Sequence, residues 1–365
     1  MDRARELAGT RAAQRSALVG GAAIVVLGLV LLYATAATST RTEFVQLSAN
    51  GLALGALYAL IALGFVIIYK ATEVINFAHG AMMLFGTYVV FSLTAGLIPA
   101  WGTLKPFPSW LQWWMDMDIA LRFVLAVAVA AVLTAGLGVL IERTVLRKMV
   151  GQPVFAVVLI TLGLELVIAT MVQILWNPQQ KSLQSPFKIT SNLTIGNATI
   201  QWAKLWTIIV VAVLVAGFFL FFRYTRAGVA MRATAFDQEA AMAMGIKAST
   251  IFAIAWGIAG GLAAIAGALF VPAQLAGFIT LTPVRFAALN AFPAAILGGM
   301  DSPGGAVVGG VSIGLAQVYS ARWLNPYFQD WNLPNFHIVF PFLLMFVVLM
   351  VRPYGLFGTR EVRRV

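Results

Sequence analysis

Residues Phe44–Tyr69 read FVQLSANGLALGALYALIALGFVIIY, twenty-six positions without a charged side chain, the amide and hydroxyl groups of Gln46, Ser48 and Asn50 gathered near its start. A membrane-spanning helix needs about 20 mostly apolar residues. This stretch exceeds that, and it is one of many: Ala17–Thr38, Val74–Ile98, Ile119–Ile141, Val154–Trp176, Leu205–Phe222, Ile251–Pro272 and Ile338–Val351 have the same character. Two shorter pieces, Phe286–Gly299 and Gly304–Tyr319, are divided only by Met300-Asp301-Ser302-Pro303 and read as a short interrupted pair, either two tilted helices or a re-entrant hairpin. The fold class is therefore an all-α integral membrane protein of about eight spanning helices plus that pair. The composition agrees. Of 365 residues, 61% are hydrophobic and 10% charged, with a mean hydropathy of +0.91, whereas a soluble domain carries about 25% charged residues. A water-soluble enzyme is excluded.

No cysteine occurs and only two histidines, His79 and His337, so disulfides, thiolate metal sites and a cysteine nucleophile are excluded and a histidine-rich metal site is disfavoured. The net charge of +11 would suggest nucleic acid in a soluble protein; in a membrane protein the placement of the charges decides, and no nucleic-acid partner is expected. With a cytoplasmic N-terminus, the inner segments hold sixteen of the 24 Lys and Arg, among them Lys70, Arg143, Arg147, Lys148, Arg223, Arg226, Arg232, Lys247 and Arg352. That asymmetry predicts a multi-pass protein with both termini in the cytoplasm. The chain divides into 1–41, a cytoplasmic tail and first membrane helix, and 42–365, the main transmembrane domain. Ala34-Thr35-Ala36 resembles a signal-peptidase site, but the preceding apolar run exceeds the usual 7–15 residues, and a retained helix is the expectation.

The outer insert 99–118 carries Trp101, Trp110, Trp113 and Trp114, a composition suited to anchoring in the lipid headgroup layer; a ligand-docking surface is the other reading. Asn177–Lys204 reads as an outer loop with a short hairpin around Ile189-Thr190 and Thr199-Ile200, and its Asn192 and Asn197 sequons read as chance.

Several residues do not belong in lipid. Asn76 and His79 open an apolar stretch, and Glu165 lies in the middle of Val154–Trp176. Polar groups at that depth face protein or a water-filled cavity, so Glu165 needs a partner, whether structural or along a pathway. Gly298-Gly299 and Gly304-Gly305 flank Asp301-Ser302-Pro303, a break that exposes backbone dipoles if it lies within the membrane. With Gly51, Gly55 and Gly64 before the Asn76–His79 break, both halves hold an interrupted segment, a pattern pointing to an inverted repeat. Asn50, Asn76, His79, Glu165, Asn290 and Asp301 are the candidate pathway residues. In the connection 223–250, Phe236, Ala240, Ala241 and Met244 recur at helical spacing and Gly245 supplies a stop. The expectation is one short amphipathic helix along the inner membrane face, offering an apolar side to a partner.

The stretches Asn50–Gly64, Val74-Ile-Asn-Phe-Ala-His-Gly80, Arg232–Gly245, Ala294-Ala-Ile-Leu-Gly-Gly-Met-Asp-Ser-Pro-Gly-Gly305 and Arg352-Pro-Tyr-Gly-Leu-Phe-Gly358 together resemble the permease subunits of ABC importers for branched-chain amino acids. Glu239-Ala-Ala-x3-Gly245 follows the importer coupling pattern; downstream, Ile254-Ala-Trp-Gly replaces the usual Ile-x-Leu-Pro. The resemblance implies a bacterial plasma-membrane (inner-membrane) subunit that moves branched-chain or related amino acids inward. ATP and Mg would be bound by cytoplasmic ATP-binding subunits, with no cofactor in this chain. An extracytoplasmic solute-binding protein and a second homologous permease or another copy would complete the assembly. It further implies that Arg232, Phe236, Asp237, Glu239, Ala240, Met244 and Gly245 form the ATPase coupling surface. Relatives of this type also serve urea, short amides and other small organic solutes. The chain itself has no Gly-x4-Gly-Lys-Ser/Thr phosphate loop, no His-Glu-x-x-His and no Gly-x-Ser-x-Gly, so a transport subunit is favoured over a membrane enzyme. A proton-coupled secondary carrier using Glu165 or His79 is the competing class.

Overall fold

The computed structural model describes residues 41–149, 151–187, 191–195, 197–329 and 335–359. The expected helix Ala17–Thr38 lies outside these residues, as does Ile189-Thr190. Eleven helices of six or more residues organise the described chain: α1 (Arg41–Thr72), α2 (His79–Ala95), α3 (Ile119–Thr144), α4 (Val154–Trp176), α5 (Trp202–Tyr224), α6 (Arg226–Phe236), α7 (Gln238–Ala243), α8 (Ala248–Gln274), α9 (Leu281–Gly298), α10 (Pro303–Trp323) and α11 (Phe336–Val351). Seven of them (α1, α3, α4, α5, α8, α9 and α10) are long and apolar enough to cross a membrane, and α2 and α11 are shorter apolar helices. The chain is a multi-pass membrane protein.

Helix α1 stands in the middle, packed on α5, α8, α9 and α10, and from Ala53 to Ile68 nearly every side chain is buried. Two helices in lipid gain no hydrophobic driving force from meeting, so close backbone approach has to supply the attraction. Glycine permits it here. A Cβ on Gly314 would stand 2.2 Å from Gly55 N, and one on Gly310 would stand 2.3 Å from Ala59 N. The contact between α1 and α10 thus consists of small residues four apart on both helices.

Several boundaries differ from the sequence expectations for local reasons. The interrupted pair is two full helices, α9 and α10, because each extends beyond its apolar piece through Thr282 and Arg285 at one end and Arg322 at the other. Asp301-Ser302-Pro303 is not a break within a membrane helix. Gly299 (φ 105°) ends α9, Ser302 N donates to Gly299 O (3.0 Å), Ser302 Oγ caps Gly305 N (3.1 Å) and Pro303 begins α10. The result is a tight turn at the end of the bundle. In Val74–Ile98, by contrast, the helix begins only at His79, and Val74–Ala78 runs without helical structure. Thr161 Oγ1 donates to Ile75 O (3.4 Å), returning one carbonyl of this segment to the protein. Finally, the expected single helix across 232–245 is two, because Asp237 turns extended (φ −154°) and caps α7 through Ala240 N (2.9 Å).

Lys70, Arg147, Lys247 and Arg352 fall at one end of the bundle, with α6, α7 and the α9–α10 turn; we term this the basic end. The opposite end carries three small sheets. Leu97–Ala100 pairs with Thr103–Pro106, Asn192–Ile195 with Ala198–Gln201, and Lys181–Ser182 with Phe278–Ile279, all antiparallel. Trp101 sits at the tip of the first hairpin, 78% exposed and at positive φ (45°), followed by Gly102.

Candidate functional site

Among the described residues, a cavity of about 890 Å³ opens at the tryptophan-bearing end between α1, α5, α8, α9, α10 and α11. Helical geometry assembles its walls: Leu47, Asn50, Leu54 and Tyr58 follow one stripe of α1, and Thr282, Phe286 and Asn290 follow one stripe of α9. Several of its polar groups are held in pairs. Lys204 Nζ donates to Asn50 Oδ1 (2.8 Å), and Tyr58 Oη donates to Gln317 Oε1 (2.8 Å). Arg322 Nε binds Glu43 Oε1 (2.5 Å), and the His337 ring bonds Asn325 (2.8 Å). Leu54, Phe270, Leu275, Phe286 and Ile338 supply an apolar wall. A chamber of this size and mixed lining suits a small amphipathic solute.

Glu165 borders a separate cavity of about 180 Å³, and the partner it needs is Arg285. Arg285 Nη2 lies 2.6 Å and Nε 2.8 Å from Glu165 Oε1, bridging α4 and α9. Phe65, Phe77 and Phe292 form the apolar side of this cavity, with Phe65 and Phe292 ring centres 5.7 Å apart. Phe286 lines both cavities, so α9 is the partition between them.

Asn76 and His79 lie elsewhere, enclosed in packing. Asn76 Oδ1 accepts from Ala78 N (3.0 Å) and Asn76 Nδ2 rests on Met82 Sδ (3.7 Å), fixing the entry into α2. His79 is fully buried beside Phe65, 4.8 Å between ring centres, and neither ring nitrogen has a hydrogen-bond partner. The ring occupies a notch on α1: a Cβ on Gly64 would stand 2.5 Å from His79 Cε1. Asp301 belongs to the basic end. Its carboxylate accepts from Thr359 N (2.8 Å) and from the Thr359 hydroxyl, and its carbonyl accepts from Lys70 Nζ (2.8 Å). Next to it Leu356 N and Phe357 N donate to Leu297 O (2.8 Å) and Gly298 O (3.1 Å), so the segment 352–359 straps the α9–α10 turn.

The structure thus brings Asn50 and Asn290 to one chamber and keeps Glu165, the Asn76–His79 pair and Asp301 apart. Sequence reading missed Tyr58, Lys204, Gln274 and Gln317 as chamber residues and Arg285 as the partner of Glu165. Arg285 was findable: a lone cation in an apolar stretch demands an anion at similar depth, and Glu165 was waiting for one.

At the basic end, α6 and α7 present an uneven surface. Phe236 is 95% and Met244 84% exposed, and Glu239 and Ala240 are exposed beside them, whereas Ala241 is buried. Arg232 turns back toward α5, its guanidinium 3.3 Å from Arg223 O and 5.7 Å from the Phe222 ring centre. Gly245 adopts φ +86°, a left-handed stop favouring glycine.

A family model described as the permease component of branched-chain amino acid transport systems matches residues 47–349, from within α1 to within α11. The high-affinity branched-chain amino acid transport system permease protein LivH of Salmonella typhimurium is 31% identical over 328 residues, covering 88% of this chain and 98% of its own. LivH of Escherichia coli K12 matches over the same shares at 31% identity, and BraD of Pseudomonas aeruginosa at 28%. No solved structure matches the chain significantly. With a family match that takes in every membrane-crossing helix described above and relatives aligned almost end to end, this chain belongs to the permease components of branched-chain amino acid transport systems.

Proposed function

We propose that this permease passes a branched-chain or related amino acid into the cytoplasm of a bacterium across its inner membrane, as one half of the channel of an ABC importer. The observation that carries this reading is the amphipathic chamber of about 890 Å³, whose apolar wall (Leu54, Phe270, Phe286) faces polar groups at Asn50, Tyr58, Lys204, Asn290 and Gln317. Urea or a short amide would make little use of that apolar half. The basic end faces the cytoplasm by the positive-inside rule, placing the chamber mouth where a solute-binding protein would deliver. ATP and Mg would be held by separate cytoplasmic subunits seated on Phe236, Glu239, Ala240 and Met244, and a second homologous permease or another copy would complete the channel.

The secondary-carrier reading is weaker. Glu165 is engaged by Arg285, and His79 is sealed between helices, so neither is poised to exchange a proton with water along an open path. The test is reconstitution of the chain with its ATPase, paired permease and binding protein in proteoliposomes. Leucine uptake should require ATP and persist when an uncoupler collapses the proton gradient, and Phe236→Asp with Met244→Asp should abolish it while the permease still inserts. Accumulation by the chain alone, driven by a proton gradient, would refute the proposal.

A further inference from the structure

Two cations line the outer chamber, and they differ in one respect. Arg322 is neutralised by Glu43. Lys204, at the first turn of α5, has no carboxylate within ion-pair distance among the described residues; its polar contact is the neutral amide oxygen of Asn50. Among the described residues, no Asp or Glu lines the chamber. Holding a half-buried ammonium without a counter-charge is unfavourable. Among the described residues, the chamber lining offers the positive charge of Lys204 and no carboxylate to receive it.

We infer that Lys204 is the receptor for the carboxylate of the transported solute. This rests on the proposed function and adds to it an order of recognition. An α-amino acid carries a carboxylate and an ammonium, and among the described residues the chamber lining has a charged partner only for the first. The carboxylate is therefore the group the chamber requires, the side chain lies against Leu54, Phe270 and Phe286, and the ammonium meets only neutral oxygens such as that of Asn290. A solute lacking the ammonium should occupy the chamber; one lacking the carboxylate should not.

The absence of cysteine from the chain makes the test direct. Val318 lines the chamber, and Val318→Cys in the assembled importer, held in nanodiscs, gives a single reporter in this subunit for a water-soluble maleimide. L-leucine and 4-methylvalerate should slow labelling, and leucinamide should not. Lys204→Gln should raise the leucine concentration giving half-protection by about tenfold or more, the loss expected for one charge-assisted hydrogen bond, and Lys204→Arg should restore it. The yield of assembled complex reports folding of each variant. Equal protection by leucinamide, or unchanged leucine protection in Lys204→Gln, overturns the assignment, and so does an importer that moves leucine without protecting Cys at 318. Leucine uptake by the unmodified importer is measured in parallel. An importer that moves leucine while Lys204→Gln behaves normally sinks the role of Lys204 alone, whereas one that moves no amino acid sinks the proposed function.

Discussion

Removing Arg285 should injure the protein more than removing Arg285 and Glu165 together. The guanidinium makes two contacts, 2.6 and 2.8 Å, to a single oxygen of Glu165, and the two side chains are 23% and 19% exposed. With charge centres roughly 4 Å apart and an effective dielectric of about 20, the attraction is on the order of 4 kcal/mol. Breaking a buried pair by deleting one partner costs about 3–5 kcal/mol, because the other charge is stranded. Residual exposure softens this, so Arg285→Leu should destabilise the protein by about 2–3 kcal/mol. Replacing both residues with leucine strands nothing and should leave stability within about 1 kcal/mol of the parent. Thermal unfolding of the parent, Arg285→Leu, Glu165→Leu and the double variant in mild detergent closes the double-mutant cycle. If the double variant loses the sum of the single losses to within about 0.5 kcal/mol, the pair is not coupled and the reasoning fails. Glu165→Gln adds a functional arm. It keeps an acceptor for Arg285 and should leave uncoupler-resistant uptake in place; loss of uptake with an unchanged melting temperature would make Glu165 part of the transport chemistry.

Three further outcomes follow from the packing. Gly314→Leu must drive α10 off α1, since its Cβ would sit 2.2 Å from backbone that cannot yield; we expect a loss of about 3 kcal/mol, read as a lowered melting temperature. Gly304→Ala, with nothing near the added methyl, should stay within about 0.5 kcal/mol. Asp301→Ala removes both anchors of Thr359 and should speed proteolysis of the 352–359 strap severalfold at nearly unchanged melting temperature. Equal cleavage in variant and parent would refute the strap's dependence on Asp301.

The spans were legible wherever apolar residues ran without interruption. Val154–Trp176 is both the apolar run and helix α4, because a helix in lipid must be apolar on most of its surface. Legibility failed where a helix is lined by protein. The first turns of α9 contain Thr282, Pro283 and Arg285, which hydropathy reads as loop, although these residues face the chamber or Glu165. In α7 a side chain intervened, since Asp237 caps the helix and so divides what spacing alone joins. For the pathway residues, polarity located groups that avoid lipid and could not say what replaces it. Asn50 found water-facing space beside Lys204, whereas Asn76 found the backbone of its own turn. The 352–358 stretch was legible as a motif and opaque as a structure. Its glycines serve close approach: a Cβ on Gly355 (φ +76°) would lie 2.5 Å from Ile296 O.

The seam between α1 and α10 carries a consequence for how the protein is made. Tyr58 and Gln317, bonded across it, are 259 residues apart in sequence. At synthesis rates of about 5–20 residues per second, roughly 13–50 s pass between the emergence of α1 from the ribosome and that of the helix that covers it. During that interval the glycine face of α1 and its amide-bearing first turns are in the bilayer without their final neighbour. The machinery that inserts the chain, or the helices made in between, must shelter this face from unrelated small-residue helices, so slowing translation between α8 and α10 should increase misassembly more than slowing it after α10.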